Sequence, residues 1–207
     1  MKSGMHYYEI IEDIVDIEWN MFQQVNNEGG RASCQDDPET FRIMRSSQFS
    51  ILPESLLLAY RKGLLRAQMQ ERNPVMEKYA RMMESTAPEQ YRQIAPFLPQ
   101  VTAERRQMVE EVVEVHKGWM AEHAAQYPKL SDRGRFLYTE QDTPWDTSAE
   151  TYLRGELLTW SMDALKIYRD FVLQAQAEER NLVIEQDRRM VEQYGFASLE
   201  EAEDAQR

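Results

Sequence analysis

Apolar residues recur every three to four positions over almost the whole of this chain, and that spacing limits its fold more than any other feature. Between residues 5 and 27, Ile10, Ile14, Ile17 and Met21 fill one row and Ile11, Val15 and Phe22 the next, giving a helix a wide apolar face. Asp37-Pro38 reads as an N-cap followed by proline at the first helical position and opens a helix to about Ser46. Asn73-Pro74 repeats the device before a helix ending near Glu84, and residues 53–69 form another between them. Thr86-Ala87-Pro88-Glu89 has the spacing of a capping box, and Thr102 opens a longer helix to about Ala125. Thr147-Ser148-Ala149-Glu150 is a second such box. Behind it Leu153, Leu157, Trp160, Ala164, Ile167 and Phe171 trace one stripe toward residue 178. A helix over 181–194 stops at Gly195, and Ser198 with Glu201 caps a last acidic segment, residues 197–207 reading as a tail that frays. The β-branched residues fall at helical spacing, and no internal repeat stands out. The expected fold is therefore all-α, a single-domain helical bundle of about eight helices over residues 1–207, with one long loop at 126–147.

Composition narrows the partners. A chain of 207 residues, 42% apolar, is long enough to bury one continuous core. Its 36 acidic against 24 basic residues leave a net charge of -12 with no basic block, which argues against nucleic acid and anionic membrane. The first residues lead into an acidic amphipathic segment, so neither a secretory signal nor a membrane span is expected. Cys34 is the only cysteine, so no intrachain disulfide can form and a reducing cytoplasm suits the chain. A small polar or anionic metabolite is the expected partner, and a homo-oligomer stays open.

Three ionisable residues sit where apolar ones belong. Glu18 has Ile14, Val15, Met21 and Phe22 as its neighbours along the helix, so its carboxylate points to the core seam and requires a cation, a donor network or a metal. His116 lies among Val109, Val112, Val113, Trp119 and Met120, and Glu156 among Tyr152, Leu153, Thr159 and Trp160. One reading makes Glu18 and His116 an acid and base pair, or metal ligands, facing one pocket; the other makes them satisfied core groups. A di-metal bundle site fails on spacing, because Ser3, Val113 and Met120 precede His6, His116 and His123 by three and no Glu-x-x-His exists. A mononuclear site from Glu18, His116 and Glu156 is the remaining metal arrangement, with no cofactor indicated.

The run Asn26-Asn27-Glu28-Gly29-Gly30-Arg31-Ala32-Ser33-Cys34-Gln35-Asp36-Asp37 interrupts the helical pattern with more polar chemistry than a connector needs. Cys34 is a candidate nucleophile, activated by Arg31 or by the helix start after Asp37, or else an inert small hydrophobe. Asn26, Arg31, Gln35 and Asp36 are candidate ligand contacts, since backbone amides ahead of a helix with a guanidinium can hold a carboxylate or phosphate. Glu150 to Arg154 is a favourable four-residue ion pair, and Arg154 with Glu156 joins the candidate ligand contacts.

The segment from Gly29 to Asp37, the run Glu77-Lys78-Tyr79-Ala80-Arg81-Met82-Met83-Glu84 and the run Glu150-Thr151-Tyr152-Leu153-Arg154-Gly155-Glu156-Leu157 resemble a bacterial family of about this length. That family is catalogued as a domain of unknown function, number four-one-two-five, and the resemblance spans nearly the whole chain without implying an activity. The residues themselves point to a small-molecule-binding helical protein, leaning to an enzyme with Glu/His acid-base or metal chemistry. The alternative is a helical interaction module that uses Phe136, Leu137, Tyr138 and Trp145 on the long loop.

Overall fold

The computed structural model of the chain describes residues 3–26 and 30–206. Among these residues it has eleven α-helices and no strand. They are α1 (Ser3–Phe22), α2 (Pro38–Ser50), α3 (Glu54–Met69), α4 (Pro74–Thr86), α5 (Pro88–Ile94), α6 (Ala103–Gln126), α7 (Pro128–Ser131), α8 (Ala149–Leu157), α9 (Met162–Ala177), α10 (Leu182–Gln193) and α11 (Leu199–Ala205). No helix among them is long and apolar enough to cross a membrane. Ile14, Leu56, Leu57, Val109, Val112, Leu157, Leu165 and Val172 are fully buried in the main core, which draws on α1, α3, α6, α8 and α9.

The caps explain where helices start. Asp37 and Asn73 accept from the backbone of Thr40 and Met76, both at 3.0 Å, with proline behind each cap, and Thr102 accepts from Arg105 at 3.2 Å. Neither capping box forms as expected. Thr86 turns back onto the Met82 carbonyl, leaving α5 capped by Ala87 without a side-chain bond. Ser148, not Thr147, caps α8 through the Thr151 amide, while Glu150 binds Arg154 and the Thr139 amide. The expected single helix over 148–178 is two, because Ser161 caps a fresh start at Met162 by accepting from the Ala164 amide, and Arg105 takes up the carbonyls of Leu158 and Trp160 freed at the break. This division, with α7 inside the expected 126–147 loop, raises the helix count above eight. The rest of that loop is pinned to α8 through Asp142, which accepts from the Ser148 amide at 2.6 Å and the Thr151 hydroxyl at 2.6 Å. Residues 199–205 are docked, with Leu199 and Ala202 buried and Glu203 accepting from the amides of Lys129 and Leu130.

The contacts also overturn the absence of an internal repeat. Asn73 caps α4 and donates to the Met21 carbonyl of α1; Asn181 caps α10 and donates to the Trp119 carbonyl of α6. Arg61 pairs with Asp13 and Arg169 with Glu111, joining α3 to α1 and α9 to α6. Arg72 clasps Glu77 and Arg180 clasps Glu185, each across a turn containing a glutamate at positive φ, Glu71 at 55° and Glu179 at 56°. With those anchors aligned, Ile10-Ile11-Glu12-Asp13-Ile14-Val15-Asp16-Ile17-Glu18 matches Met108-Val109-Glu110-Glu111-Val112-Val113-Glu114-Val115-His116. Likewise Glu71-Arg72-Asn73-Pro74-Val75-Met76-Glu77 matches Glu179-Arg180-Asn181-Leu182-Val183-Ile184-Glu185, and Glu39-Thr40-Phe41 matches Glu150-Thr151-Tyr152. The chain is a duplication of a four-helix unit, α1 to α4 in one half and α6, α8, α9 and α10 in the other.

The halves exchange contacts reciprocally. α4 packs on α8 and α10 on α2, while α3 meets its own equivalent, α9. That is the contact pattern of an isologous, approximately two-fold interface placed inside one chain. At Gly155 a Cβ would stand 3.1 Å from the Lys78 carbonyl oxygen, so α8 lies directly against the α4 backbone there.

Candidate functional site

At the seam between the halves lies a buried charge network. Arg45 of α2, 8% exposed, donates from Nε and Nη2 to the two carboxylate oxygens of Glu18, both at 2.6 Å. Its Nη1 and Nη2 also reach Glu156 of α8 at 3.3 and 3.1 Å, and Nη1 reaches Gln48 at 2.6 Å. Lys78 of α4 donates to Glu156 at 3.1 Å and to the Tyr152 hydroxyl at 2.7 Å, and Tyr60 of α3 donates to Glu18 at 2.5 Å. Two cations thus answer two anions, so the seam is neutral and the carboxylate at position 18 has the partner its burial demands.

Burial works against the charge on Glu156, but Arg45 and Lys78 together outweigh it and hold the carboxyl at about 2. Burial also disfavours charge on Lys78 and Arg45, yet their hydroxyl and carboxylate neighbours hold both above the usual range of their types. Burial, aided by Glu18, raises the Tyr60 phenol well above its ordinary value.

Over this network opens a cleft of about 160 Å³ lined by Glu18, Arg45, Lys78 and Tyr152, with Phe22, Phe41, Met44, Val75 and Tyr79 as apolar walls. Cys34 and Asp37 stand at the same cleft, together with Arg135, whose guanidinium lies 4.5 Å above the Tyr152 ring. Arg45 spends every N–H on the network. Lys78 spends two of its three, leaving one without an acceptor among the described residues.

The structure joins some of the expected site residues and separates others. Glu18 and Cys34 line the cleft, and Glu156 lies beneath it. His116 does not share it with Glu18: its Nε2 meets the Tyr168 hydroxyl at 2.9 Å and its ring packs edge-on against Trp119 at 4.9 Å. Burial alone lowers it to about 4, so it is neutral near neutrality. The duplication explains the separation, because His116 and Tyr168 are the second-half counterparts of Glu18 and Tyr60. No group of three metal-ligating side chains converges among the described residues, so Glu18, His116 and Glu156 do not form the mononuclear arrangement that their sequence positions left open.

The polar bend supports the cleft from behind. Gln35 is buried and donates to the carbonyls of Phe22 and Val25 at 2.9 and 3.0 Å while accepting from the Ala32 amide, so it closes the C-terminus of α1. Arg31 binds Asp36, Gln23 and the Gln35 carbonyl. Asn26 is exposed; Asn27, Glu28 and Gly29 lie outside the described residues, and Gly30 has a φ of 89° that only glycine adopts freely. Arg154 faces away from the cleft, bound by Glu110, Glu150 and Thr139. Arg45, Lys78 and Tyr152 escaped the sequence reading. Their signal was present: Arg45 shares a helical face with the buried Phe49, and Lys78 sits amid apolar and aromatic neighbours.

These features define an all-α protein of duplicated four-helix units with a cleft over a neutralised charge network. The chain belongs to the family described as protein of unknown function DUF4125, whose profile matches residues 8–204. No curated protein and no solved structure matches it.

Proposed function

We propose that this protein holds a small molecule with an apolar body and one acidic group in the cleft above Lys78. The carrying observation is the Lys78 ammonium: 6% exposed, with one N–H left over, at a cleft walled by Phe22, Phe41, Val75 and Tyr79. A ligand carboxylate there gains a charge-assisted hydrogen bond in a poorly hydrated site, with Arg135 available from the rim. Holding is favoured over proton transfer, since Glu156 stays ionised, Lys78 and Arg45 stay charged and Tyr60 stays neutral around pH 7. Both oxygens of Glu18 are already engaged. The exposed single thiol of Cys34 suits a reducing cytoplasm, and the net charge of -12 argues against a nucleic-acid partner.

A second reading, an interaction module, draws support from Trp145, 91% exposed, and Phe136, 51% exposed, although Leu137 and Tyr138 are half-buried.

Titration with phenylacetate and hexanoate, against their neutral amides, tests the binding reading. The acids are expected to raise Tm and to slow alkylation of Cys34, and Arg135→Gln is expected to weaken both effects. Equal responses to acids and amides, or unchanged Cys34 alkylation at saturating acid, overturn it.

A further inference from the structure

A second cleft, of about 320 Å³, lies between α3, the start of α6 and the break that separates α8 from α9, with Pro74 and Arg81 of α4 in its wall and no lining residue shared with the first. Arg66, Arg72, Arg81 and Arg105 line it, and Ser161, Met162 and Asp163 bring the N-terminal end of the sixteen-residue helix α9 to its wall. In a chain of net charge -12 this concentration of guanidiniums is out of keeping with the composition. The carboxylates at hand are Asp163 in the lining and Glu77, which is clasped by Arg72, so four cations face two anions.

Arg81 is the most deeply buried of them. It is 6% exposed, yet the one acceptor it reaches among the described residues is the Pro99 carbonyl, at 2.6 Å from Nη2. Its Nε–H is buried without a partner, as is the Nε1–H of Trp160, another residue of the cleft wall. A guanidinium N–H buried without an acceptor is expensive unless something else supplies an oxygen. Burial, reinforced by Arg106 and Arg72, pulls Arg81 below the usual guanidinium range. Burial with Arg81 and Arg72 does the same to Arg105, so these cations repel each other as they stand.

The duplicated half shows that the fold does not need this arrangement. The counterpart of Arg105 is Tyr7, whose neutral hydroxyl donates its one proton among the carbonyls of Leu52, Ser50 and Phe49, at 2.8, 3.0 and 3.3 Å, at the place where Arg105 binds those of Leu158 and Trp160. The counterpart of Arg81 is Arg189, which is exposed and paired with Glu192 at 3.2 Å. Of the two equivalent places, only the one formed by Arg81 from the first half and Arg105 from the second has two cations facing inward without carboxylates; the other has Arg189 and Tyr7.

We propose that the cleft formed by Arg72, Arg81, Arg105 and the N-terminal end of α9 binds a phosphate-bearing small molecule. A phosphate dianion matches the excess of two positive charges, offers several acceptor oxygens to planar guanidinium donors and is favoured at a helix N-terminus. This site is separate from the carboxylate cleft above Lys78 and stands or falls independently of it.

The test is calorimetric titration and thermal shift with inorganic phosphate, glycerol phosphate and tricarballylate at constant ionic strength. Wild-type protein is expected to bind both phosphates, with Tm rising, and tricarballylate at least tenfold more weakly. Arg81→Met is expected to lose binding at least tenfold and to match or exceed the wild-type Tm in phosphate-free buffer, because it removes an unanswered buried charge. Arg189→Gln, at the equivalent position of the other half, is expected to bind as wild type. Absence of phosphate binding by wild type, equal binding by Arg81→Met, or tricarballylate binding as tight as phosphate overturns the proposal. A lower Tm of Arg81→Met without phosphate also overturns it, by giving Arg81 a purely structural role.

Discussion

Arg45 and Glu156 occupy equivalent positions in the two halves of the chain and are bonded to each other, Nη2 to Oε1, at 3.1 Å. At the seam of a two-fold-like pair, a residue lies opposite its own counterpart. Two arginines or two glutamates there would repel, whereas arginine opposite glutamate turns the same geometry into attraction. Glu18 and Lys78 then complete the neutralisation of a buried seam.

Breaking this pair from one side leaves a buried charge unanswered. Arg45→Leu and Glu156→Leu are each expected to cost about 3–5 kcal/mol, and the double variant much less than their sum. Urea denaturation of the four proteins of the cycle measures the coupling; additive costs would show that the pair contributes nothing beyond its separate parts.

Acid stability should fall in two windows. His116 is lowered from 6.5 to about 4 in the folded chain, so the unfolded chain takes up that proton first and stability declines as pH drops from 6.5 through 4. Glu156 is lowered from 4.5 to about 2, so its contribution is complete above 4.5 and is lost as pH falls toward 2. His116→Gln is expected to flatten the upper window, by up to about 1.4 kcal/mol per pH unit, in denaturant titrations across it. An unchanged slope would mean that the imidazole titrates alike folded and unfolded.

Two helical glycines should respond in opposite directions to alanine. Gly155→Ala puts a methyl 3.1 Å from both the Lys78 carbonyl oxygen and Met82 Cγ, and the backbone oxygen cannot swing away; a loss of about 1–3 kcal/mol is expected. Gly118→Ala meets nothing within 4 Å inside α6 and should gain about 0.5–1 kcal/mol. Thermal melts of the two variants are expected to shift to opposite sides of wild type.

Gln35→Ala should loosen the cleft without touching its lining. It frees the carbonyls of Phe22 and Val25 and the amide of Ala32, an expected cost of about 1–3 kcal/mol, and removes the support behind Cys34. Faster alkylation of Cys34 together with a lowered Tm is the expected signature; alkylation at the wild-type rate would detach the bend from the cleft.

The sequence by itself determined the helices, because apolar spacing and capping are local. Asp37, Asn73, Thr102 and Ser198 cap where their side chains can reach an amide two or three residues on, and that reach needs no distant partner. It determined equally that Glu18 and Glu156 must be answered, since burial of a carboxylate is costly wherever the answer comes from. What answers them was a tertiary decision. Arg45 lies 27 residues from Glu18 and 111 from Glu156, and Lys78 lies 78 from Glu156. No periodicity carries information over such distances. The break at Leu158 to Ser161 was hidden for the same reason: the apolar stripe runs through it, and Arg105 from α6 makes it affordable by binding its free carbonyls. The duplication was hidden differently. Helices of like pattern resemble one another everywhere, and only matched contacts such as Asn73 to Met21 and Asn181 to Trp119 separate a repeated unit from shared periodicity.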